Sequence, residues 1–120
     1  MYRIDFYRDE DGRSELLDFI RELLLSSKTS KDARIQYDKI YSQLELLREN
    51  GTNLPSKYTK HIEEDIWELR PGKNRIFYFC FVDGGFVMLH HFRKTSQKTP
   101  RAEIEKAKRE RNDYLRRHKK

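Results

Sequence analysis

Arg75-Ile76-Phe77-Tyr78-Phe79-Cys80-Phe81-Val82, Asp83-Gly84-Gly85 and Phe86-Val87-Met88-Leu89-His90-His91-Phe92-Arg93-Lys94 decide the architecture. Two apolar runs flank an Asp-Gly-Gly turn signal, the pattern of a β-hairpin. The first run, Arg75 to Val82, is apolar on both faces and belongs in the middle of a sheet. The second, Phe86 to Arg93, ends in cations, which continue with hydroxyls through Thr95-Ser96-Gln97-Lys98-Thr99 to the helix-starting Pro100. A strand end mounts side chains stiffly, and a dense polar cluster there calls for an anionic ligand. Phosphate is the expected ligand.

Upstream, Ile62 to Arg70 reads as a further strand, closed by Pro71-Gly72. Residues 2–7 alternate, with Tyr2, Ile4 and Phe6 against Arg3, Asp5 and Tyr7, which suits a half-buried strand. Ser14 caps a helix with Leu16, Leu17, Ile20, Leu23 and Leu24 on one stripe, broken at Ser26 to Ser30. A second helix carries Ala33, Tyr37, Ile40, Leu44 and Leu47 and stops at Asn50-Gly51. The two helices should pack as an antiparallel hairpin. Pro100 opens a last helix, with Glu103 and Glu105 early and Arg116, Arg117, Lys119 and Lys120 at its end, matching the helix dipole. The expected order is β-α-α-β-β-β-α, an α+β domain with helices on one side of a largely antiparallel sheet.

A chain of 120 residues makes one domain, residues 1–120, with one modest core. No apolar run nears the roughly 18 residues that cross a bilayer, and the N-terminus lacks a signal-peptide h-region. A cytoplasmic protein without membrane partners is expected. The single Cys80 excludes an internal disulfide and a cysteine-based metal cluster, and inside an apolar strand it reads as a packed hydrophobe. Residues 93–120 hold 12 Lys or Arg against 4 Asp or Glu, a net +8 in a chain whose total is +6. Such asymmetry fits a nucleic-acid or acidic partner as well as a solvated basic helix.

Strand alternation groups the side chains. A two-residue Gly84-Gly85 turn pairs Phe79 with His90, Phe77 with Phe92 and Arg75 with Lys94. A four-residue Pro71 to Asn74 loop pairs Arg70 with Arg75 and Glu68 with Phe77. One face then carries Glu68, Arg70, Arg75, Phe77, Phe79, His90, Phe92 and Lys94, and is expected to be open. The other carries Trp67, Leu69, Ile76, Tyr78, Cys80, Val82, Val87 and Leu89, and belongs against the helices. Phe77 and Phe79 fit either a core or a base-stacking platform.

Cations with aromatic rings suit single-stranded RNA, which also brings its own nucleophile, the 2′-hydroxyl. Its attack needs alignment, a base, an acid and charge stabilisation, all within reach of side chains. A lysine among cations yields its proton more readily. His90 and His91 point to opposite faces of a strand and cannot share one metal ion, so neither metal nor cofactor is expected. No glycine-rich phosphate loop is present, and spacing supports no Ser-His-Asp set.

Asp65-Ile66-Trp67-Glu68-Leu69-Arg70, Arg75-Ile76-Phe77-Tyr78-Phe79 and Leu89-His90-His91-Phe92-Arg93-Lys94-Thr95-Ser96-Gln97-Lys98-Thr99-Pro100 together resemble the signature of the RelE/ParE toxin superfamily. The HigB-like branch of phage-derived toxin-like proteins is the nearest in pattern, over essentially the whole chain. The resemblance implies a RelE-like fold and a type II toxin that cleaves mRNA in the ribosomal A site without metal. It implies silencing by a HigA-like antitoxin with a helix-turn-helix domain, so that DNA is met only through that partner. By the same resemblance Arg75 contacts the scissile phosphate, and Lys60 supplies a phosphate contact or proton acceptor. His90 and Lys94 occupy the Leu-His-x-Phe-x-Lys motif, and Lys98 its Lys-Thr-Pro end. Thr95 stands where the family usually has a second Lys. Arg93 is the cation next to it, aimed by alternation at the opposite face.

The expected catalytic set is Lys60, Arg75, His90 and Lys94, with Lys60 or His90 handling the proton, and Arg70, Arg93 and Lys98 hold RNA. Two rivals stay open: a ParE-like gyrase-binding toxin, and a non-catalytic member acting only in the antitoxin complex and operon repression.

Overall fold

In the computed structural model, which describes residues 1–81 and 84–118, two serines start the helical hairpin. Ser14 Oγ accepts the Leu17 N–H at 3.1 Å, and Ser30 Oγ accepts the Ala33 N–H at 3.1 Å. Each satisfies an amide that the first helical turn leaves without a partner. From these caps run α1 (Glu15–Ser26) and α2 (Lys31–Asn50). Gly51 ends α2 at φ 62°, and a Cβ there would lie 2.9 Å from the Tyr2 ring, so only glycine fits. The expected strand end Val82, turn residue Asp83 and helix-end Lys119 and Lys120 lie outside the described residues.

The sheet has five strands in the order β1-β5-β4-β3-β2. They are β1 (Ile4–Phe6), β2 (Thr59–Glu63), β3 (Ile66–Leu69), β4 (Asn74–Phe81) and β5 (Gly85–Arg93). Strand β1 runs parallel to β5, and the other neighbours are antiparallel. The α+β class therefore holds, with one strand more than the sequence reading expects. The single strand foreseen over Ile62–Arg70 is instead a hairpin, β2 and β3, turning at Glu64. That residue takes φ 53°, a left-handed conformation reached without glycine.

The helices are not all on one side. Leu16, Leu23, Ile40 and Leu47 of the hairpin pack on Leu69, Ile76, Tyr78, Phe86 and Met88. The last helix, α3 (Arg101–Arg117), sets Ile104, Ala107 and Tyr114 on Ile66, Phe77, Phe79, Val87, Leu89 and Phe92. The face expected to be open is thus a second core, and Phe77 and Phe79 are core residues at 0 % and 1 % exposure. Cys80 is exposed and not packed, since β3 pairs with β4 only as far as Ile66 opposite Phe79 and leaves Cys80 without a partner on that side.

Register explains the rest. Phe81 pairs with Gly85 and Phe79 with Val87, not with His90. A register shift between Ile76 and Tyr78 then sets Phe77 against both Leu89 and His90, a β-bulge. Arg75 consequently faces Phe92, not Lys94. Val87 and Leu89 move to the α3 side, while the bulge returns His90 and Phe92 to the face foreseen for them. The β3–β4 register follows expectation, with Glu68 opposite Phe77.

Much of the C-terminal charge is satisfied within the fold. Arg101 reaches Glu63 at 2.7 Å, Lys108 pairs with Glu63 and Glu64, and Arg111 pairs with Glu64 and Asp65. The acidic β2–β3 turn is the dock for α3. Among the described residues no helix is long and apolar enough to cross a membrane.

Candidate functional site

Four chain segments meet where β2 and β4 begin and β3 and β5 end. On β2, Lys60 lies directly across the ladder from Glu68, which puts both on the α3 side of the sheet. Arg70 leaves β3 with its amide donating to Tyr58 O at 2.9 Å and its Nη1 donating to Ser56 O at 2.9 Å. Arg75 opens β4. Lys94 follows β5, and its amide donates to Lys73 O at 2.8 Å. The segment onward to Pro100 folds back, and the Thr99 hydroxyl donates to Glu68 Oε1 at 3.3 Å.

These segments enclose a cavity of about 180 Å³ lined by Lys60, Glu68, Arg70, Arg75, Lys94, Lys98 and Thr99, with Phe92, Thr95, Gln97 and Pro100. Five cations thus meet one carboxylate, leaving an excess of positive charge suited to a phosphoryl group. Glu68 is 2 % exposed. Its Oε2 stands 3.5 Å from Arg70 Nε and 3.9 Å from Arg75 Nε. Arg75 also donates from Nη1 to Gly72 O at 2.7 Å and to Asn74 O at 2.8 Å, so its guanidinium is held on two sides. Burial pulls Arg75 below the ordinary arginine range, Glu68 opposes that shift and the Arg70 charge adds to it. Arginine stays charged under such a shift, so the site keeps its cation.

Of the sequence-derived residues, the structure brings together Lys60, Arg70, Arg75, Lys94 and Lys98. His90 is not with them. It is 1 % exposed, with Nδ1 at 2.6 Å from Glu110 and Nε2 at 3.0 Å from Glu103, both on α3. The bulge aims it into the sheet–helix layer, where it ties α3 down. Arg93 points to the other face, as alternation requires, and its Nη1 donates to Gln36 Oε1 of α2 at 3.3 Å. His91 stacks on Phe19 of α1, with centroids 4.0 Å apart, on the side opposite His90. Burial holds its imidazole below the ordinary histidine value.

Glu68 and Thr99 are site residues that the sequence reading did not select. Glu68 was legible in part: a carboxylate between Trp67 and Leu69, on the same strand face as Arg70 and Arg75. The return of Thr99 depends on the course of a loop, which no periodicity encodes. A larger depression of about 690 Å³ lies between the β1–α1 loop and α3. Its carboxylates are already engaged: Glu15 by Lys106, Glu110 by His90, and Asp113 by Tyr7 and Arg117. Among the described residues no three His, Cys, Asp or Glu side chains gather as a metal site.

A family model described as phage derived protein Gp49-like matches residues 27–112, more than half of the chain. No curated protein sequence matches it. Among solved structures, a chain of the archaeal RelE–RelB complex from Pyrococcus horikoshii OT3 is similar at TM-score 0.51 and 15 % identity. The match covers 77 % of this chain and 93 % of that one, and it shows a shared fold.

Proposed function

The chain belongs to the phage-derived Gp49-like family, and from that membership, its RelE-type fold and its cation pocket we propose a toxin of a type II toxin–antitoxin pair that cuts mRNA on the ribosome. The observation that carries this reading is the meeting of Lys60, Arg70, Arg75, Lys94 and Lys98 on one small cavity. In the proposed reaction the RNA 2′-hydroxyl attacks the adjacent phosphorus and the bond to the 5′-oxygen breaks. The products are a 2′,3′-cyclic phosphate and a 5′-hydroxyl. Lys60, exposed on the edge strand, takes the 2′ proton, and an ammonium group of Lys94 or Lys98 returns one to the 5′-oxygen. Arg75 meets the charge that grows on the phosphoryl oxygens, and Arg70 holds the neighbouring backbone. No metal enters this scheme. His90 has no part in it, because both its nitrogens face carboxylates inside the fold.

The proposed partner is a small antitoxin of the HigA-like, helix-turn-helix kind, with DNA met only through it. Translation of a reporter in a cell-free extract tests the reading. Wild-type protein should halt synthesis and leave cut message, and Arg75→Ala should spare both while remaining folded. Undiminished synthesis with intact message in the presence of the wild-type protein would overturn it.

A further inference from the structure

Resting on that reading of the pocket, we propose that Glu68 is its positioning residue: a buried carboxylate that fixes the Arg70 and Arg75 guanidiniums and, through Thr99, the loop bearing Lys94 and Lys98. An acidic group at the floor of an anion site is costly unless it does something for its neighbours, since it opposes the ligand's charge. Here its oxygens are turned to the protein's own cations and to Thr99: Oε2 to both Nε atoms, and Oε1 to the hydroxyl. At 2 % exposure it has no surface to offer a substrate. Arg70 Nε is itself buried and makes no hydrogen bond, so Glu68 is the charge that holds that edge of the guanidinium. The carboxylate sits on β3 between Lys60 of β2 and Phe77 of β4, with hydrogen-bonded strands on both sides. A single rigid point thereby sets two arginines and one loop relative to each other.

This geometry separates binding from turnover. Removing the negative charge while keeping the shape, as in Glu68→Gln, leaves five cations against none. Binding of a 2′-deoxy, uncleavable RNA should then stay within about threefold of wild type or tighten. Cleavage should fall about tenfold to a hundredfold, because the guanidiniums lose their alignment to the phosphorus. Glu68→Asp, which restores the charge, should recover part of the rate. Thr99→Val cuts only the tie to the loop, so it should weaken binding and leave the arginines fixed. It also serves where Glu68→Gln does not fold. A second readout needs no RNA: the Arg70 and Arg75 Nε–Hε resonances should be resolved in wild type and Thr99→Val, and should merge with those of exposed arginines in Glu68→Gln. Unchanged resonances together with a wild-type cleavage rate in Glu68→Gln would overturn the assignment. A wild-type protein that cuts no RNA while its resonances respond as described would sink the nuclease reading alone.

Discussion

Arg75 carries three demands at once: it opens β4, it caps two carbonyls and it faces the cavity. Lysine at this position keeps the charge but loses the planar group whose Nη1 reaches Gly72 O and Asn74 O while its Nε faces Glu68. Arg75→Lys should therefore lower message cleavage about a hundredfold with little change in unfolding midpoint, measured by primer extension and urea titration. His90 makes the opposite case. Its imidazole is buried between Glu103 and Glu110, so His90→Ala strips a partner from carboxylates on the underside of α3. That should cost about 2–4 kcal/mol in urea unfolding, with cleavage per folded molecule retained. A residue packed between carboxylates of α3 and one that faces the cavity thus sit on neighbouring strands. The motif around His90 does not distinguish them, because alternation alone puts His90 and Arg75 on one face and says nothing of what covers that face.

Among elements, α3 is the one whose attachment depends on charge. Hydrogen bonds from Arg101 and then Lys108 hold the Glu63 carboxyl down from its ordinary 4.5 to about 2. A depressed carboxyl stabilises the fold above its unfolded value, and that contribution fades as pH falls from about 4.5 through about 2. Wild type and Glu63→Gln should therefore differ in melting temperature at neutral pH and converge in that acid window, followed by circular dichroism. The helices were legible because each signal is local: Ser14 and Ser30 as caps, the Leu16–Leu23 stripe, and Asn50-Gly51 as a stop. The β2–β3 hairpin was not, since Glu64 turns the chain without glycine or proline. Nor was the bulge, because nothing near Leu89-His90 marks two residues facing one. The covering role of α3 was hidden too, since Ile104, Ala107 and Tyr114 stand alone among charges.

For the molecule as a whole, the cations that remain for a polyanion include those of the cavity, whereas Arg101, Lys108 and Arg111 of α3 are already engaged by the acidic turn. Binding of single-stranded RNA should weaken with salt, and each of Lys94→Ala and Lys98→Ala should flatten the log–log slope by about 0.7, measured by fluorescence anisotropy. Arg111→Ala should leave that slope as it is, because Arg111 is spent on Glu64 and Asp65. Of the cluster, the nearness of Arg70 and Arg75 was readable in advance because the Pro71–Asn74 loop fixes how β3 meets β4, whereas Lys60 and Lys98 came only from the family resemblance. One further consequence belongs to β1. Ile4 lies beside Phe86 in a parallel pair, and Phe77 and Phe79 await cover from Ile104 and Ala107. While the polypeptide is being made, its earliest strand has no companion until β5 emerges, and the sheet keeps a greasy side bare until α3 follows. Folding of this protein is accordingly a late event: the sheet cannot be completed before β5 has been made, nor its second side closed before α3 has.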